Sequence, residues 1–155
     1  MLDGRHFGTG VHAAADITFL LEYGMGVGLL AGAVLARKER FRLHAWCQSA
    51  VVLLNFALIC FLMLPSFREQ IIPKIPSGLC KFYYSIATLH AVFGSVAEVS
   101  GLYVILAAGT KVLPERLRLR RYKLWMRSVL VLWWIALLLG FVTYARWHWP
   151  QVFRR

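Results

Sequence analysis

The sequence predicts an all-α fold, an integral membrane antiparallel four-helix bundle. Three observations carry that prediction. Of 155 residues, 59% are apolar and only 16% are charged, with a mean hydropathy of +0.61, where a water-soluble domain averages nearer a quarter charged. Four segments meet the length of a spanning helix, about 20 apolar residues at about 1.5 Å each. All five prolines, Pro65, Pro73, Pro76, Pro114 and Pro150, fall between or beyond those segments.

Taken in order, the spans cover about 13–36, 43–64, 82–109 and 125–146 of one membrane domain, 1–155. The first is a full span rather than a signal peptide, because it lacks a charged n-region and a small-residue cleavage site. It carries Gly24, Gly28 and Gly32 at four-residue spacing, which lets a second backbone approach closely, in internal packing before oligomerisation. The second span ends at Leu64, with Pro65 opening a loop that runs to Lys81. The third is long enough to tilt or to extend past the bilayer. Trp125, Trp147, Trp149, Tyr83 and Tyr84 stand at span ends, where amphipathic rings settle at headgroup level.

The connections differ in charge. Arg37, Lys38, Arg40 and Arg42 lie between the first two spans, and Lys111, Arg116, Arg118, Arg120, Arg121, Lys123 and Arg127 lie around the connection of the last two. These eleven of the 18 basic residues put both connections inside and both termini outside, as expected for a multi-pass protein of the cell's inner (cytoplasmic) membrane. The net charge of +11 is then a topology signal and a site for anionic lipids; without interleaved aromatics, the basic loops do not point to nucleic acid. The expected partners are the lipid bilayer and other membrane protein subunits.

Ionisable groups at membrane depth cost at least a few kcal/mol each unless paired or hydrated, so those present are functional candidates. Asp16, Glu22, His44, His90 and Glu98 all fall in spans. Counting about 1.5 Å per residue from the predicted ends puts Glu22, Asn55 and His90 at one level in the outer half, where they could meet. His44 and Gln48 form a second group in the inner half with Glu98. The spacing His44, Gln48, Asn55 marks one stripe of the second span, and His90, Gly94, Glu98, Gly101 one stripe of the third. Both stripes should face the bundle interior, giving a buried polar network of Glu22, Gln48, Asn55 and Glu98.

An intramembrane histidine invites a haem. His44 and His90 are the cofactor-binding candidates, but they differ in depth by about 15 Å on the same count, too far to be axial ligands of one haem. His90 alone, with Gly94 leaving room one turn away, remains a candidate ligand of haem b. The bland reading has His90 bonded to Glu22 or Asn55 and His44 at the interface. At the outer surface His12, Asp16 and His148 are candidate metal ligands, copper or zinc, although no two histidines share a tight metal-binding spacing. A proton path through Glu22, His90 and Glu98 is a further reading.

Soluble-enzyme motifs are missing: there is no GxGxxG, P-loop, GxSxG, HExxH or CxxC. Cys47 and Cys60 are expected to be buried in the second span and Cys80 to stand alone in the outer loop, with no disulfide framework. Nothing argues for hydrolysis or group transfer, and the chain reads as a non-enzyme.

The stretch Glu39 through His44 to Ala50, then Lys81-Phe-Tyr-Tyr84, Leu89-His90, Gly94 and Gly101, then the basic loop leading to Trp133, Gly140 and Tyr144, resembles the YozB/CtaM-like family of small four-helix bacterial membrane proteins, a domain family of unknown function. The resemblance covers about Arg37 to Tyr144 and weakens over the first span. It implies an accessory role in making or maturing haem-copper terminal oxidases, delivering haem or copper or holding an assembly intermediate, with His44 and His90 as the characteristic histidines. The sequence departs from the family in the basic loop, where a further histidine is often found and only Arg118, Arg120, Arg121 and Lys123 stand here. The alternative is a haem b electron carrier with His90 as axial ligand.

Overall fold

The computed structural model describes residues 5–78, 81–109, 114 and 121–148, with side chains from residue 15 to residue 146. Long helices dominate: α1 (Arg5–Arg37), α2 (Phe41–Leu58), α5 (Phe82–Gly109) and α6 (Tyr122–His148), with short helices α3 (Leu64–Gln70) and α4 (Ile75–Gly78) between α2 and α5. Among the described residues, four helices are long and apolar enough to cross a membrane, Ala15–Arg37, Phe41–Lys74, Phe82–Gly109 and Tyr122–Arg146. The chain is a multi-pass, all-α membrane bundle.

The four long helices form a ring in which α1 packs on α2, α2 on α5, α5 on α6 and α6 back on α1. Met25, Leu29, Val51, Val52, Leu58, Ala97 and Trp133 fill its centre, and Trp133 Nε1 donates to the Ala97 carbonyl at 3.2 Å, tying α6 to α5. The outer face carries large apolar side chains such as Trp46, Phe61, Val99 and Leu138, with Phe61 78% exposed. In water such a surface would be an aggregation liability; in hydrocarbon it is ordinary.

Of the three glycines spaced by four on α1, two are used in packing against α2. A Cβ on Gly28 would stand 2.8 Å from Val51 Cγ2, and one on Gly32 would collide with the Gln48 side chain, so α2 lies directly on this strip of backbone. Gly24 has open space instead. The strip serves intramolecular packing at Gly28 and Gly32.

The turn from α1 to α2 is a Schellman motif: Arg40 N–H bonds Leu35 O at 3.0 Å and Glu39 N–H bonds Ala36 O at 3.1 Å, which satisfies carbonyls that the helix end leaves open. Its geometry requires a left-handed residue, and Glu39 supplies it at φ 60°.

The second span corrects a sequence expectation. Pro65 does not end the helix and does not open a loop. A π-helical turn, Ile59–Met63, follows α2, in which Leu64 N–H reaches back five residues to Ile59 O, and Pro65 then sits in the first turn of α3. The wider turn accommodates a residue that has no N–H to give and whose ring would strike the carbonyl four residues back. The expected loop from Pro65 is helical for most of its length, through α3, a 3-10 turn at Ile72–Lys74 and α4. Pro73 likewise takes an opening position of its turn.

Candidate functional site

His90 projects from the first half of α5 toward α6, and its position is set by a backbone bond. Its Nδ1 lies 2.9 Å from Ala136 O; a carbonyl can only accept, so Nδ1 carries the hydrogen and donates it. That assigns Nε2 as the atom facing the site. Opposite, Glu22 of α1 brings Oε1 to 3.8 Å from Nε2. Both side chains rest on Gly140 of α6, where a Cβ would stand 2.9 Å from Glu22 Oε2 and from His90 Cε1. Glu22 is only 8% exposed. Three helices therefore converge on one carboxyl–imidazole pair, and the absent side chain at position 140 gives it room.

The pair borders a half-open cleft of about 370 Å³ between the α2–α3 wall and the α5–α6 pair, α6 contributing Trp133, Ala136, Leu137 and Thr143. The π turn contributes Ile59 and Met63 to that wall, α3 contributes Phe67 and Gln70, and Tyr83, Gly94 and Ser95 come from α5. A Cβ on Gly94 would meet no atom within 4 Å, so the space beside His90 is open as the sequence implies.

The remaining polar residues of the network divide differently from the expectation. Asn55 does not meet Glu22 and His90 through a hydrogen bond; its Nδ2 donates to Glu98 Oε2 at 2.8 Å, joining α2 to α5. Glu98 is 4% exposed, and its Oε1 has no hydrogen-bond partner among the described residues. Glu98 is thus withdrawn from the group expected with His44 and Gln48. Those two face α1 instead: His44 Nδ1 donates to Gly32 O at 2.7 Å and Gln48 Nε2 to Leu29 O at 3.3 Å. The reason is the bare backbone of the glycine strip, whose carbonyls are reachable by short donors on α2. The bland reading of His90 holds in part: Glu22 faces its Nε2 at 3.8 Å, while the hydrogen bond itself goes from Nδ1 to the α6 backbone rather than to Glu22 or Asn55.

His44 and His90 serve opposite seams of the bundle, one on the α1 backbone and the other on α6. They do not fit a haem held by both. His90 Nε2 is oriented as a ligand by its Nδ1 bond, but the Glu22 carboxyl stands in front of it, so His90 alone does not present an open coordination direction either.

Toward the start of α1 and the close of α6, Tyr144 Oη donates to Asp16 Oδ1 at 2.7 Å, and the Tyr144 ring stacks on Phe19 at 4.2 Å. Of the proposed metal ligands His12, Asp16 and His148, only the Asp16 side chain is among the described ones; His12 and His148 lie outside them. Among the described residues no three His, Cys, Asp or Glu side chains cluster as a metal site. Cys47 is half-buried, its Sγ 3.4 Å from Gly28 O, whereas Cys60, expected to be buried, is exposed on the lipid-facing side of the π turn.

Residues missed from the sequence are backbone or small: the Ala136 carbonyl and Gly140 as the seat of the pair. The signal available was their spacing of four on α6, the same small-residue pattern that α1 displays. No protein family, curated protein or solved structure matches this chain.

Proposed function

We propose that the chain is an accessory or assembly subunit of a respiratory membrane complex of the haem-copper oxidase type, one that binds rather than catalyses. It would sit in the inner membrane with both termini outside, its basic connections against anionic lipid headgroups and its apolar outer face open to other subunits. The observation that carries this reading is the Glu22–His90 pair, two ionisable side chains from different helices held 3.8 Å apart beside a cleft. Structural register alone needs no such pair, because burying ionisable groups in hydrocarbon is costly and an apolar contact would pack as well. The resemblance over the second to fourth spans supplies the kind of complex.

The test is affinity purification of the tagged chain from its own membranes. The expected result is a protein without a Soret band that brings an oxidase with it, and cells whose oxidase activity falls in His90→Ala. A normal level of assembled oxidase in cells lacking the chain overturns the proposal. The alternative, a haem b carrier ligated by His90, has the Nδ1–Ala136 bond to orient the ring but is opposed by the Glu22 carboxyl in front of Nε2. A Soret band lost in His90→Ala would select it.

A further inference from the structure

The geometry points to the Glu22–His90 pair as the head-group site for a neutral, hydroxyl-bearing, lipid-soluble molecule that enters from the bilayer through the cleft between α3 and α5. This rests on the reading of Glu22–His90 as the working site, but not on the oxidase partnership.

The first argument is the gap. A separation of 3.8 Å between Nε2 and Oε1 exceeds a hydrogen bond, which runs about 2.7–3.2 Å, yet one oxygen can lie within bonding distance of both atoms. The proton on that axis can reside on the carboxyl or on Nε2, since Nδ1 keeps its own hydrogen on Ala136 O. In the first arrangement the guest must accept from the acid and donate to Nε2; in the second it must accept from Nε2 and donate to Oε1. A hydroxyl does both in either state. An ether or a carboxylate accepts but cannot donate, and a quaternary ammonium can do neither.

The second argument is the route. The cleft of about 370 Å³ is within the range of small-molecule sites, about 300–1,000 Å³, and most of its walls are apolar. Leu64 and Ser95, both exposed, are among its lining residues, so the cleft reaches the surface. Along the helices it runs from Asn55 and Ala97 to Ile71 and Tyr83, roughly 20 Å at about 1.5 Å per residue, the shape of a slot for a chain with a small head. Gly94 leaves its lining open beside His90, and the π turn interrupts the opposite wall, a distortion common where helices bind ligands.

The experiment uses the full chain in phosphatidylcholine nanodiscs, titrated with 4-decylphenol, with uptake by protein-free nanodiscs subtracted. The expected result is saturable binding of about one phenol per chain. Binding of 4-decylanisole, the same ring and chain with the hydroxyl methylated, should be at least tenfold weaker, as should that of decyltrimethylammonium. His90→Ala should weaken phenol binding at least tenfold. Gly94→Leu, which fills open space and leaves the pair in place, should do the same, while Val99→Ala on the outer face should bind as the parent does. Uptake equal to that of empty nanodiscs, equal binding of phenol and anisole, or undiminished binding in Gly94→Leu overturns the inference. Saturable phenol binding by a chain that associates with no oxidase upholds it and defeats the partnership instead.

Discussion

The Asn55–Glu98 contact permits a quantitative test of how this bundle is held together. Glu98 is buried, and Asn55 Nδ2 at 2.8 Å is the donor to its Oε2. Replacing Asn55 by leucine leaves Oε2 without that donor, beside an Oε1 that already has no partner among the described residues. An unsatisfied buried group costs about 1–3 kcal/mol. Interhelical hydrogen bonds in membranes average about 0.6 kcal/mol with a maximum near 1.7, because the unfolded chain also finds partners in lipid. We expect Asn55→Leu to destabilise by about 1–2 kcal/mol, up to or somewhat beyond a tenfold change in the unfolding constant. The double variant Asn55→Leu/Glu98→Leu should recover most of that loss, since removing both polar partners leaves nothing unpaired. Reversible unfolding by sodium dodecyl sulfate in mixed micelles, followed by tryptophan fluorescence, measures all four corners of the cycle. An interaction energy within about 0.3–0.5 kcal/mol of zero, the range for independent sites, would refute the contact.

Other perturbations give separate readings. Gly28→Leu and Gly32→Leu, driven into α2, should cost about 1–3 kcal/mol each in the same unfolding assay, whereas Gly24→Ala should be within about 0.5 kcal/mol of the parent. Glu39→Gly should stabilise by about 1 kcal/mol, because glycine takes the left-handed position without the strain that glutamate bears there. Gly140→Ala pushes a methyl against the fixed imidazole and should reduce any His90-dependent activity in cells more than His44→Ala does, with unfolding measured alongside to show that the bundle persists. Cysteine introduced at Lys38 should react with a membrane-impermeant maleimide only from the cytoplasmic side, and one at Lys74 only from the opposite side; the reverse pattern would overturn the orientation drawn from the basic connections.

Much of the bundle was legible in the amino-acid order because hydrocarbon imposes a simple rule of length and apolarity on each span. The third span, α5, coincides with its expected limits of 82–109 for that reason. The Pro65 boundary was misread because proline's effect depends on the turn before it, and a π turn has no compositional mark in Ile-Cys-Phe-Leu-Met. The site was half legible. Glu22 and His90 could be matched by depth, since depth follows from counting residues. Their partners could not: Ala136 O, Gly32 O and Leu29 O are backbone atoms, which every residue carries alike, and only the approach of a neighbouring helix decides which of them receives a side chain. Asn55 went to Glu98 because pairing across α2 and α5 depends on rotation about each axis as well as on depth.

A π turn amounts to one surplus residue lodged in an otherwise regular coil. Were the same five residues, Ile59–Met63, wound in ordinary α geometry with none removed, everything downstream would swing by about 100° around the axis and advance by about 1.5 Å. Phe67 and Gln70 would then leave the groove they now border. The geometry of that wall is accordingly written in the winding of one turn rather than in the chemistry of any side chain, and rewinding it would erase the wall while leaving hydropathy and composition untouched.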